Sequence, residues 1–139
     1  MEQRALGTII LNQKPLTLPP TASVAEACRQ MREKHVGAVL VVDGEGRLLG
    51  IFTGRDAVGR VLAGGHAGTM RLESAMTSRP ATMTRAMRAV DALRLMRDGG
   101  FRHVPVVEGE KVVGIVSYGD FRGGEIDRLD EETGLWERL

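Results

Sequence analysis

Two aspartates in this sequence each stand three residues after a hydroxyl side chain: Asp56 after Thr53, and Asp120 after Ser117. Each pair closes the same local string, Gly50-Ile51-Phe52-Thr53-Gly54-Arg55-Asp56 and Gly114-Ile115-Val116-Ser117-Tyr118-Gly119-Asp120. A carboxylate just past a strand, at the start of a helix, accepts two hydrogen bonds at once. That suits the 2′- and 3′-hydroxyls of a ribose and repels a 2′-phosphate, so NAD is expected to bind better than NADP. The same residue types also cap helices, the hydroxyl accepting a backbone N–H and the acid reaching back. Finding the pair twice favours ligand binding, with capping as the competing role. Arg102 and His103 offer a second chemistry. Arginine gives a forked, permanently charged phosphate contact, and histidine one that is tunable near neutral pH. The alternative is a solvated charge at a strand start beside a structural histidine.

The elements that must position these groups come in two copies. Ala38-Val39-Leu40-Val41-Val42-Asp43 parallels His103-Val104-Pro105-Val106-Val107-Glu108 at a spacing of 65, and Pro15-Leu16-Thr17-Leu18 parallels Pro80-Ala81-Thr82-Met83 at the same spacing. The spacing drops to 64 past a turn that is one residue shorter in the second copy, where a fold tolerates deletion. Each copy begins with a short extended piece at Thr17 or Thr82. A helix follows, started by the capping pattern Ser23-Val24-Ala25-Glu26 in copy one and stopped by Gly99-Gly100 in copy two. Two apolar runs joined by a glycine turn come next, 37–43 with 47–53 and 102–108 with 111–117, reading as strands buried on both faces. A second helix follows each aspartate. The expected fold is mixed α/β (α+β), two β-α-β-β-α repeats packed about a pseudo-twofold axis, because one repeat alone buries too little surface. The boundaries read as repeat 1 over 8–63, a linker over 64–79, repeat 2 over 80–131 and a tail over 132–139.

This grammar resembles the CBS domain (named after cystathionine β-synthase), and the chain looks like a tandem pair, a Bateman module. The two Gly-x-x-[Thr/Ser]-x-x-Asp endings, the Phe101 to Val107 strand and the Pro-x-Thr starts carry the resemblance. It implies two clefts between the copies that take adenosine-containing ligands: AMP, ADP, ATP, S-adenosylmethionine or NAD(H). It also implies pairing as disk-like homodimers and regulation of another protein in place of catalysis. By resemblance, Thr17 and Thr82 approach adenine or ribose, and the stretch Arg102, His103, Val104 and Pro105 meets adenine through its backbone and phosphate through a basic side chain. The equivalent stretch in copy one is Gly37, Ala38 and Val39, so that copy lacks the cation unless Arg55 supplies it. Two unequal sites are expected: Thr82, Arg102 to Pro105, Ser117 and Asp120 in the stronger, and Thr17, Gly37 to Val39, Thr53, Arg55 and Asp56 in the weaker. Pro105 lacks an N–H and so marks a weakened ladder position at a cleft edge.

Composition narrows the alternatives. Hydrophobic residues at 42% and charged residues at 27% describe an ordinary globular chain of 139 residues, against disorder or a disulfide scaffold. A net charge of +1 and few aromatics argue against nucleic acid, leaving the arginines at 85, 88, 94 and 97 as a solvated face. The single Cys28 and the lack of a signal peptide or membrane span point to a cytoplasmic protein. Neither a metal site nor a catalytic motif is written in the sequence, and no cofactor is required; AMP or ATP is the expected ligand. The reading is therefore a regulatory adenine-nucleotide sensor acting on an unidentified protein. Its competitors are a ligand-free dimerisation module and an NAD(H) or S-adenosylmethionine binder. Ile126 and Leu129 continue the last helix as an apolar stripe, and Trp136 is expected to dock on the module or on a second protomer.

Overall fold

The computed structural model describes residues 4–137, with side chains at all of these except 130 and 132–137. The first element, α1 (Leu6–Ile9), does not fold with the repeat that it precedes. The chain forms two compact units. One joins the leading residues through Gln13 to 81–108 and to the chain from Val113 onward; the other is Lys14–Pro80 with Gly109–Val112.

The first-copy unit holds β1 (Thr17–Leu18), α2 (Val24–Lys34), β2 (Ala38–Val42) and β3 (Leu48–Thr53). A one-turn α3 (Gly54–Asp56) runs into a π-helical stretch at Ala57–Leu62, followed by α4 (Leu72–Ala75) and β4 (Thr77–Ser78). The sheet order is β1-β2-β3-β4, parallel between β1 and β2 and antiparallel elsewhere. The α2 helix starts where Ser23 Oγ accepts the Glu26 N–H at 3.1 Å, and it buries Val24, Ala27 and Met31 on one stripe. It ends in a left-handed residue, His35, at φ 55°. The first four residues of β2 are buried, as a strand covered on both faces must be. Phe52, Leu72 and Val39 sit at the centre of this unit's core.

The second-copy unit holds α5 (Ala89–Gly99), β5 (His103–Glu108), β6 (Lys111–Ser117), a 3₁₀ turn at Tyr118–Asp120 and α6 (Gly123–Glu137). The Asp91 carboxylate accepts the Arg88 N–H at 3.0 Å to start α5, and Gly100 at φ 71° ends it. A two-residue turn joins β5 to β6, a connection available only to an antiparallel pair. The core gathers Leu93, Met96, Val104, Val106 and Val116 with Leu6 and Ile10 of the leading segment. Leu129 of α6 is buried there and Ile126 packs against the same cluster, whereas the side chains of Leu135 and Trp136 lie outside the described residues.

The leading segment repeats the chain around α4, and each serves the copy it does not precede in register. Leu6 N–H donates to the Met87 carbonyl at 2.8 Å, as Leu72 N–H does to Ala22 at 2.9 Å. The Arg4 carbonyl accepts from Ala89 N–H at 3.0 Å, as that of Met70 does from Val24 at 2.8 Å. This exchange explains the glycine that opens each repeated string. A Cβ at Gly50 would stand 2.8 Å from the Thr77 carbonyl oxygen, and one at Gly114 would stand 2.8 Å from Ile10 Cβ. Both strands must let the incoming segment approach closely. In copy one β4 pairs with Gly50 and Ile51 through its backbone. In copy two the Gln13 side-chain amide does that work, donating to the Ile115 carbonyl at 2.8 Å and accepting the Ile115 N–H at 2.6 Å. No described helix is long and apolar enough to cross a membrane.

Candidate functional site

Each aspartate of the repeated strings closes a capping box. In copy one, Asp56 Oδ2 accepts the Thr53 N–H at 2.9 Å and the Thr53 hydroxyl at 3.2 Å, and that hydroxyl oxygen accepts the Asp56 N–H at 3.3 Å. In copy two, Asp120 Oδ2 accepts the Ser117 N–H at 2.7 Å and the Ser117 hydroxyl at 3.2 Å. The capping role weighed in the sequence is thus present at both places. The two carboxylates nevertheless differ. Asp56 Oδ1 lies 3.5 Å from Arg60 Nε, one turn further along the helix, and its side chain is 12% exposed. Asp120 has Gly124 at the same interval, is exposed, and commits Oδ2 to the box.

Around Asp120 the second-copy unit assembles a cationic, aromatic corner. Tyr118 N–H donates to the Arg102 carbonyl at 2.9 Å, which places the guanidinium of Arg102 over the Tyr118 ring at 4.5 Å. Stacking holds the planar fork in one orientation while leaving its N–H edge exposed. His103 opens β5 beside them, half-buried. Burial pushes its imidazole pKa down, the neighbouring Arg102 charge pushes the same way, and Asp120 opposes both. His103 therefore holds a proton less readily than a free histidine, and the permanent positive charge of this corner is that of Arg102.

Val104 and Pro105 are fully buried. In copy one, Leu40 N–H donates to the Leu16 carbonyl at 2.9 Å and β1 forms beside β2. The equivalent donor in copy two is missing, because Pro105 has none. There the parallel strand shrinks to a single bridge, Met83 with Val106, in which Met83 N–H donates to the Pro105 carbonyl at 3.0 Å. Thr82 precedes that bridge, exposed, and among the described residues nothing bonds it to the Asp120 turn.

The first-copy group is plainer. Thr17 lies exposed on β1, and Ala38 pairs with Thr53 across β2 and β3. Gly54 N–H donates to the Gly37 carbonyl at 3.2 Å, the counterpart of the Tyr118 to Arg102 bond. Val39 is fully buried and Arg55 is exposed. Arg60, unnoticed in the sequence, spans from Asp56 to the Met76 carbonyl at 2.9 Å. Its signal was the interval of four from Asp56 on a helix. Arg4 and Glu125 were also missed. They lie 121 residues apart and form the ion pair described below, for which the sequence carries no local sign.

Each copy carries a helix followed by an antiparallel strand pair, with a hydroxyl–acid box where that pair ends, and this repetition defines a tandem-repeat α+β class of fold. The CBS domain family matches at residues 6–63 and 72–124, and the chain belongs to that family. The CBS domain-containing protein CBSCBSPB3 of Arabidopsis thaliana is 36% identical over 119 residues, which are 85% of this chain and 21% of the relative. The chain thus spans about a fifth of that relative's length. Among solved structures, a CBS domain protein from Pyrobaculum aerophilum complexed with AMP matches with a TM-score of 0.82 at 23% identity, covering 91% of this chain and 98% of that one. The CBS domain pair of protein MJ0100, in complex with 5′-methylthioadenosine and S-adenosyl-L-methionine, matches with a TM-score of 0.77 at 26% identity, over 95% and 99% of the two chains.

Proposed function

We propose that this CBS pair is a regulatory module that binds an adenine nucleotide, AMP or ATP, through its second copy and passes the occupancy to a partner protein. The observation that carries the reading is the contrast between the two aspartates. Asp56 is screened by Arg60, whereas Asp120 is exposed beside the stacked Arg102. Asp120 Oδ1 takes the ribose hydroxyls, Arg102 takes the phosphate, and Ser117 and Thr82 contribute hydroxyls. Binding of adenosyl ligands by the CBS pair of MJ0100 supports the adenosine part, and the Arg102 cation favours a phosphorylated form. The module works as a homodimer and carries no catalysis of its own.

A second reading draws on a specific observation: both capping boxes give the aspartates a complete structural role, as an interaction module without ligand requires. Thermal melts separate the two. Asp120→Asn keeps an acceptor for the Ser117 N–H and removes the charge. Nucleotide at about 100 times its Kd adds roughly 2.7 kcal/mol to the native state. The expected outcome is a several-degree rise with AMP or ATP in the wild type and in Asp56→Asn, abolished in Asp120→Asn. An equal rise in Asp120→Asn would leave that residue as a cap alone. No rise with AMP, ATP, NADH or S-adenosylmethionine at millimolar concentration would favour the interaction module.

A further inference from the structure

We propose that Arg4 is a positioning residue for the second-copy site, fixing the Ser117–Asp120 turn from the exchanged leading segment; this rests on the reading that Asp120 takes the nucleotide. The guanidinium of Arg4 forks onto Glu125, with Nε 3.0 Å from Oε2 and Nη2 2.6 Å from Oε1. The same Nη2 donates to the Asp120 main-chain carbonyl at 2.9 Å. Glu125, in turn, accepts the Arg122 N–H at 2.7 Å at the start of α6 and is 7% exposed. Arg4 is itself held at its backbone, where its carbonyl accepts the Ala89 N–H at the start of α5. One residue therefore ties three elements together, its main chain holding α5 and its side chain the Asp120 turn and α6.

The comparison between the copies shows what this cluster is for. In copy one the chain continues helically past the aspartate, with Ala57 at φ −59° and ψ −44°. In copy two it breaks, with Phe121 extended at φ −90° and ψ 145°. The break takes the Asp120 carbonyl out of a continuing helix, and Arg4 supplies the donor instead. Met70 holds the backbone place of Arg4 in copy one, and Val61 stands five residues after Asp56 as Glu125 does after Asp120. Both belong to that unit's apolar cluster. An apolar pair thus fits the position, and a buried ion pair is not the more stable choice by default. What Arg4 and Glu125 add is direction: a bonded carbonyl that sets the turn on which Asp120 stands.

The test is the double variant Arg4→Met with Glu125→Val, which installs the copy-one pair and leaves no buried charge unpaired. AMP binding is measured by calorimetry, and amide hydrogen exchange at Tyr118 to Phe121 is followed in the unliganded protein. The expected result is a melting temperature within a few degrees of the wild type, an AMP affinity about tenfold weaker, and exchange at the turn about tenfold faster. A folded double variant with wild-type exchange at the turn would overturn the proposal, as would one with wild-type affinity. If the wild type itself binds no AMP or ATP, the nucleotide reading fails, and faster exchange in the variant still decides whether Arg4 sets the turn. If the double variant does not fold, Arg4→Lys is used. It keeps a charge for Glu125 without the fork that reaches Asp120, and unchanged exchange in it would equally overturn the proposal.

Discussion

At the scale of single residues, the site rests on groups whose charge is set by their neighbours. His103 is the clearest case. An unfolded histidine takes up its proton near pH 6.5, whereas burial and the Arg102 charge hold the native His103 below that. As pH falls through 6.5 the unfolded chain gains protons that the native chain refuses, so stability falls with it until the native pKa is passed. The wild type is expected to lose melting temperature steadily from pH 7 toward pH 5.5. His103→Gln removes the part of that slope due to this residue, and melts across the range check it. A slope unchanged in His103→Gln would mean that the imidazole is as solvated as in the unfolded chain. Glu125 works in a separate window. The Arg4 hydrogen bond holds its carboxyl below the usual carboxylate range, so its contribution is intact above that range and is lost only in stronger acid.

At the scale of elements, the copies solve one problem with different residues. Both first helices end in a left-handed cap, at His35 with φ 55° and at Gly100 with φ 71°. In each the following N–H returns to a carbonyl of the last turn, Val36 to Met31 at 3.0 Å and Phe101 to Met96 at 3.1 Å. A side chain in that conformation costs roughly 1 kcal/mol against glycine, partly offset because glycine is freer when unfolded. His35→Gly is therefore expected to stabilise the protein by about 0.5 kcal/mol, read as a higher urea midpoint with unchanged slope. A lower midpoint would show that the exposed imidazole contributes more than the backbone strain costs. These helices and hairpins were legible in the sequence because their signals are local: a capping serine, apolar residues one turn apart, a glycine stop. The strand beside β5 was legible only in part: Pro105 marked a weakened ladder position, yet an extended piece at Thr82 was expected as in copy one, and it is reduced to the single Met83–Val106 bridge. The role of the aspartates was not. Ribose binding and helix capping ask for the same carboxylate and the same hydroxyl at the same spacing; the two aspartates are told apart by their surroundings, Arg60 beside Asp56 and the Arg102–Tyr118 stack near the exposed Asp120.

At the scale of the whole molecule, the repeat in the sequence and the unit in space are not the same length of chain. Residues 6–63 and 72–124 carry the family match in chain order, yet α1 completes the core that contains 81–108, and α4 completes the core of 14–53. Nothing local announced this exchange, because backbone hydrogen bonds such as Leu6 to Met87 and Leu72 to Ala22 carry no residue signature. Leu6 and Leu72 are both completely buried, one in each core. Cutting either to alanine removes its transfer free energy and leaves a cavity, together about 2–5 kcal/mol. The location of the damage is what distinguishes the exchanged arrangement from one in which each repeat keeps its own leader. Leu6→Ala is expected to lower hydrogen-exchange protection first in α5, β5 and β6. Leu72→Ala should act first in α2, β2 and β3, since local unfolding spreads through the unit that lost the contact. Loss of protection in α2 and β2 on Leu6→Ala, with α5 and β5 unaffected, would refute the exchange and restore the repeats to their order along the chain.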